Sequence, residues 1–413
     1  MSTQNPSGTT SPDILSVPSR RRGSSIGVGI AVAIAIVLLV VGLGGGYVLG
    51  GYLNPSKTTN TVTISEAGST LLGPLFQLWG PNYTALNPNV QVNVALTGSG
   101  NGISEAESGG VDIGATDAYL TPQNASAHGL INVPLAISAQ LVMYNLPGLN
   151  NVHLNMNGTV LAEIYAGVIT KWNDPQIAAA NPGVSLPSQT IVPLHRSDGS
   201  GDTFMFTSLC YLSWSGWPYS FGTSVQWLSS SPGYNGNGGM VTGLQNTPYG
   251  IAYIGISFLN SALATGKIGY AAVGDQAANV NGTNPANYVL PTPQNISADA
   301  SLGLQNLQPP SVAISLILGG VPGAIVTTAN HGTGGTLPTA QYPHPYPIVN
   351  LEYTLIQTSP ASPSHQFYVV QLLEWILSYG NLPQYLNAVH FLPLTPAIIG
   401  YDMQALASVS VSS

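Results

Sequence analysis

The stretch HRSDGSGDTF, His195 to Phe204, brings together an arginine, two aspartates, two serines and two glycines. Its arginine stands out, because Lys and Arg total seven in 413 residues and Arg196 is the only arginine after the cluster Arg20-Arg21-Arg22. A guanidinium offers five N–H donors in a planar fork that fits an oxyanion. Serine hydroxyls add donors, and glycines let the backbone approach a ligand closely. Two further stretches share this character: GST at 68–70 and TGSG at 97–100. Each follows an alternating apolar stretch and opens an apolar-periodic one, as in VTISEAGSTLLGPLFQLWGPNY. That pattern predicts a strand, a turn and a helix. Helix N-termini carry unpaired N–H groups and a partial positive charge, which suits a small anion. Taken singly, each of these loops reads better as a Gly- and Ser-rich connector with a capping hydroxyl. Three of them plus the lone arginine point to anion binding.

Catalysis fits the residues less well. His195 and Ser200 invite a hydrolase reading, but position 198 is Asp, so no G-x-S-x-G elbow exists. His195 reads better as a packed strand residue. The pair Gly266-Lys267 is followed by Ile, which rules out a phosphate-binding GK[ST] motif. His331, His344 and His365 lack close metal-ligand spacing, and Cys210, the single cysteine, lies in the apolar run LCYLSW. The sequence calls for no metal and no cofactor. Trp172, Asp174 and Pro175 read as a helix-ending turn, and the aromatics of LCYLSWSGWPYSF as packing.

The elements that must position these loops alternate. VQVNVALTGSGNG and TIVPLHRSDGSGDTFMFTSLC repeat the strand–turn–helix plan, GGVDIGATDAYL reads as a strand ending at Asp117, and LAEIYAGVIT as a helix. Such alternation predicts an α/β architecture with largely parallel sheets, whose ligands bind at the C-terminal strand edge. Only 5% of residues are charged, against roughly a quarter in an ordinary domain. A polar tail (1–22) ends in the three arginines, and the segment 23–53 carries no charge. It is long enough to span a bilayer, and the arginines hold its N-terminal side in the cytoplasm. A single-pass membrane anchor is expected, with 54–60 as a tether and the remainder outside the cell membrane. That remainder has four basic and 14 acidic residues, net −10, which makes nucleic acid an implausible partner.

AGSTLLGPLFQLW, TGSGNGISEAESGGVDIGATDAYL, ITKWNDPQIAAANPG and LHRSDGSGDTFMF resemble the phosphate-binding proteins of ABC phosphate transporters. NGNGGMVTG with YGIAYIGISFL resembles the actinobacterial members, mycobacterial ones included, and the resemblance spans roughly residues 61–410. It implies a two-lobe periplasmic-binding-protein fold with a hinge of two crossing strands. Lobe one is then 60–139 plus 349–413, and lobe two 140–348. It also implies phosphate contacts from Ser69, Thr70, Leu71, Ser99, Asp117, Arg196, Ser200, Gly201 and Asp202, with Arg196 forking onto the anion and Asp198 orienting it. The implied partners are inorganic phosphate and the subunits of an ABC permease, with the chain itself a monomer. Many relatives read GSGT where this chain reads GSGD, so Asp202 puts a carboxylate where a hydroxyl is usual. The competing readings are the same fold tuned to another tetrahedral oxyanion, and a non-transport envelope protein.

Overall fold

The computed structural model describes residues 61–274, 278–279, 281–304 and 345–412. The expected tail, membrane anchor and tether (1–60) lie outside these residues. Among the described residues, no helix is long and apolar enough to cross a membrane.

Thirteen strands are described: β1 (Val62–Gly68), β2 (Val90–Ala95), β3 (Ile113–Thr116), β4 (Leu130–Asn145), β5 (Asn155–Asn157), β6 (Val192–Pro193), β7 (His195–Arg196), β8 (Gly233–Tyr234), β9 (Gly250–Gly255), β10 (Gly269–Tyr270), β11 (Ala272–Gly274), β12 (Tyr288–Val289) and β13 (Val349–Gln357). The main sheet runs β2-β1-β3-β13-β4-β9-β6, with β10 pairing to β4. It is mixed, not largely parallel as the sequence suggests. β1 pairs in parallel with β2 and β3, and β6 with β9. Between these, β13 is antiparallel to β3 and β4, and β4 is antiparallel to β9. Strand–helix–strand units force parallel pairing; β4 and β13 belong to no such unit, so nothing dictates that direction for them.

β4 changes partner along its length. Leu130–Ala139 pairs with β13, and Gln140–Asn145 pairs with β9. Its residues from Val133 onward are buried on both faces, which is why the segment reads as one apolar run without alternation.

The helices follow the apolar periodicity. Gly73–Leu86 buries Leu75, Phe76, Trp79 and Tyr83, and Trp79 Nε1 donates to the Gly380 carbonyl at 3.0 Å. Gly201–Ser213 buries Met205, Phe206, Leu209 and Cys210, and burial pushes the Cys210 thiol well up, so it sits as an inert core group. The helix predicted at LAEIYAGVIT instead spans Gly158–Tyr165. Asn157 Oδ1 caps its start at Val160 N (2.8 Å), and Gly167, at φ +76°, ends it. Asp174 starts a helix rather than ending one: its Oδ1 accepts from Gln176 N at 2.9 Å and caps Pro175–Ala180. Trp172 is fully buried beside it.

Candidate functional site

Three strand-to-helix turns meet at one place. The first follows β1. Gly68 has φ +142°, and a Cβ there would lie 2.0 Å from the Ala115 carbonyl oxygen, so only glycine fits. Ser69 then accepts the amides of Leu71 (3.1 Å) and Leu72 (3.0 Å) on its hydroxyl and donates that hydroxyl to Asp117 Oδ1. The second turn leads into the helix Ser99–Ser108. Gly98, at φ +92°, would place a Cβ 2.4 Å from Asp198 Oδ2, and Gly100 N donates to Gly199 O at 2.9 Å. The third turn precedes Gly201–Ser213, where Ser200 Oγ accepts from Thr203 N at 3.3 Å.

Asp117 stands just past β3, buried among these turns. Beside the Ser69 hydroxyl, its carboxylate takes the Ser99 hydroxyl at 3.3 Å, and Asn350 Nδ2 donates to its backbone carbonyl. Gly201 packs flat against it: a Cβ at Gly201 would lie 2.4 Å from Asp117 Cβ and 2.5 Å from its Oδ2. Gly201→Ala is therefore expected to wedge the two turns apart. Overpacking of this kind costs about 1–3 kcal/mol. Ligand affinity, measured by calorimetric titration, should fall by about one to two orders of magnitude, and the thermal midpoint should fall with it. Unchanged affinity would show that this contact does not shape the site.

Arg196 is 4% exposed and held by two carboxylates. Nε donates to Asp198 Oδ1 at 2.8 Å, Nη2 donates to Asp198 Oδ2, and Nη1 donates to Asp202 Oδ2 at 2.7 Å. Asp198 thus occupies the side-on fork of Arg196. Of the five N–H groups, the terminal pair on Nη1 and Nη2 is left to meet a ligand end-on. The backbone N–H of Arg196 donates to Tyr253 Oη at 3.0 Å, and Tyr253 stacks on Phe206 at 4.6 Å, which fixes the strand end rigidly.

Asp202 is fully buried at the start of its helix and accepts on every side. Asn237 Nδ2 donates to Oδ2 at 2.7 Å, and Gln140 Nε2 donates to Oδ1 at 3.1 Å and to the backbone carbonyl at 2.8 Å. Asn237 also bridges to the first turn: its backbone N–H (3.2 Å) and Nδ2 (3.1 Å) both donate to Thr70 Oγ1.

Burial sets the charge states. It works against the Asp198 carboxylate, but the hydrogen bond and charge of Arg196 outweigh it and hold that carboxyl below its usual range. Burial first, then the charge of Asp117, pushes Asp202 up to about 6. Burial also raises Asp117, against hydrogen bonds from Glu352, Ser69 and Ser99 and the attraction of Arg196. Such a cluster offers one cation, hydroxyl donors and helix N-termini to an anion, and at least one carboxylate to an O–H on that anion.

All nine residues implied by the resemblance fall in or beside this cluster. Within it the Leu71 amide donates to Ser69 Oγ, and the Thr70 hydroxyl oxygen accepts from Asn237. His195 and Ser200 do not pair: His195 Nδ1 contacts Ser231 Oγ at 3.0 Å and its ring packs on Trp227. Sequence reasoning misses Gln140, Asn237, Asn350 and Glu352. A signal was present, since Ser138 and Gln140 on β4, and Asn350, Glu352 and Thr354 on β13, are polar residues at every second position of otherwise apolar, fully buried strands.

Residues 54–303 match the PBP superfamily domain. The phosphate-binding protein PstS of Xylella fastidiosa is 28% identical over 347 residues, covering 83% of this chain and 85% of the relative. The phosphate-binding protein PstS3 of Mycobacterium bovis is 32% identical over 224 residues, covering 52% and 60%. Among solved structures, a high-affinity periplasmic phosphate-binding protein (PfluDING) with bound phosphate superposes with a TM-score of 0.58 at 19% identity, covering 82% of this chain and 92% of that one. With its family domain spanning more than half of the sequence and its mixed sheet crossed by β4 and β13, the chain belongs to the PBP superfamily of solute-binding proteins.

Proposed function

We propose that this protein binds inorganic phosphate outside the cytoplasm and delivers it to the permease subunits of an ABC importer. The observation that carries this reading is the buried Arg196 facing the same cluster as Asp117, an anion anchor beside a proton acceptor. Phosphate and arsenate retain a proton near neutrality and satisfy both groups. Sulfate carries none, so Asp117 would meet a bare lone pair. The names of the curated relatives support the same ligand. The binding set is Ser69, Thr70, Leu71, Ser99, Asp117, Arg196, Ser200, Gly201 and Asp202, acting as a binding site and not a catalytic one. The lobes divide where β4 changes partner and β13 begins, giving 60–139 plus 349–413 and 140–348. Closure about those strands would enclose the anion. The uncharged segment 23–53 would anchor a monomeric chain to the cell membrane by a single span. A ligand bound only by the folded state raises its stability. Phosphate, and not sulfate, should therefore raise the thermal midpoint; a purely structural envelope protein would respond to neither.

The pH dependence follows from Asp202. Its carboxyl, raised to about 6, is protonated below that value and charged above it. As pH rises through this range the site gains a negative charge, so anion affinity falls. A fully coupled single proton changes affinity by about tenfold per pH unit. Asp202→Asn removes the titration while keeping an acceptor for Arg196. Phosphate titrations from mild acid to mild alkali should show a shallower decline in the variant than in wild type, the ligand's own ionisation being common to both. Parallel curves would contradict the assignment.

A further inference from the structure

Glu352 lies in the middle of β13, fully buried, at a register shift between Glu352 and Tyr353. Bulges of this kind re-aim a side chain and occur beside functional sites. Ser138 Oγ, on β4, donates to Glu352 Oε1. Among the described residues no N–H or O–H group donates to Oε2, and β13 pairs Tyr353 with Thr116, which sets the Glu352 carboxyl beside that of Asp117. Two carboxylates cannot share a hydrogen bond unless one of them holds a proton.

Partner count decides which one holds it. Asp117 takes the hydroxyls of Ser69 and Ser99 and is attracted by Arg196, whereas among the described residues only Ser138 donates to Glu352. Negative charge therefore settles on Asp117 and the proton on Glu352. The remaining ionised neighbours point the same way. Asp202 repels a charge on Glu352 from the start of its helix, and Arg196 is already engaged by Asp198 and Asp202. From β13 itself, Asn350 Nδ2 donates to the Asp117 backbone carbonyl, which secures the pair in position.

Resting on the reading of the cleft as a phosphate site, we propose that Glu352 is a positioning residue that sets ligand specificity: it holds a proton and donates it to Asp117, keeping Asp117 an acceptor for the proton on the bound oxyanion. Burial, then the charge of Asp117, pushes the Glu352 carboxyl well above its ordinary range, consistent with a proton held at neutral pH. Without this donor Asp117 would itself take up a proton, become a donor, and lose its discrimination against an unprotonated anion. At the alkaline end, loss of the Glu352 proton would set a second negative charge beside Asp117 and weaken binding.

Two variants of the full chain test this. In Glu352→Gln the amide reproduces both roles, Oε1 accepting from Ser138 and Nε2 donating to Asp117. Glu352→Leu supplies no donor. Infrared difference spectra of wild type minus Glu352→Gln at neutral pH should show a protonated buried carboxyl; the buried carboxyls of Glu66 and Asp402 are common to both and cancel. In calorimetric titrations with inorganic phosphate and with sulfate, Glu352→Leu should narrow the preference for phosphate by about tenfold or more. Glu352→Gln should restore that preference and lose the alkaline decline in affinity. Absence of the carboxylic-acid band would overturn the proposal, as would an equal phosphate-to-sulfate preference in the Gln and Leu proteins. If the Leu protein does not fold, the infrared band and the alkaline profile of the Gln protein decide. If wild type binds neither anion, the phosphate reading falls, and the infrared band still reports whether Glu352 holds the proton.

Discussion

Arg196→Ala is expected to reduce phosphate affinity by three orders of magnitude or so and to destabilise the protein as well. The terminal N–H pair would make two charge-assisted hydrogen bonds to the anion, each contributing about 1.5–3 kcal/mol. At about 1.4 kcal/mol per tenfold, their loss exceeds a hundredfold even at the low end. The same substitution strands Asp198 and Asp202, which lose their shared cation inside the protein. Breaking a buried ion pair from one side costs about 3–5 kcal/mol. Thermal unfolding of the ligand-free variant should therefore shift down, separately from the loss in the binding isotherm. Arg196→Lys should also bind poorly, because one ammonium cannot hold Asp198 side-on, touch Asp202 and still present two donors. Phosphate binding by Arg196→Ala within about threefold of wild type would remove the arginine from the site.

Asp117→Asn should alter selectivity more than any other single change. Hydrogen phosphate exchanges a charged acceptor for its O–H for a neutral amide oxygen, weakening a charge-assisted bond of about 1.5–3 kcal/mol. The new amide can donate where the carboxylate repelled, so sulfate gains. Taken together, the ratio of phosphate to sulfate affinity should fall by about a hundredfold or more. Competition titrations measure that ratio directly; a ratio equal to wild type would mean that Asp117 does not read the proton on the ligand.

Much of this site was legible in the sequence because its parts are local. Gly68-Ser69, Gly98-Ser99 and Asp198 to Asp202 each form a strand-to-helix turn whose capping chemistry is written in adjacent residues. The only arginine beyond the N-terminal cluster, in a chain this poor in charge, marks the centre. What was not legible depends on contacts between distant segments. Asn237 reaches both Thr70 and Asp202 across large sequence separations. Glu352 lies 235 positions from Asp117 in the chain, so nothing near either residue announces the pair. The mixed sheet was missed for the same reason: β13 enters between β3 and β4 from far along the chain, and apolar periodicity reports burial, not strand direction.

On the proposed reading the site recognises an oxyanion through Arg196 and the proton on that anion through Asp117. Calorimetric titration of the full chain with inorganic phosphate and with sulfate, at neutral pH and fixed ionic strength, tests it most directly. One phosphate should bind per chain, and sulfate at least about a hundredfold more weakly, the difference of roughly 2.7 kcal/mol expected when a buried acceptor meets a lone pair instead of a proton. Equal affinity for the two anions, or no heat of binding with phosphate, would contradict the account.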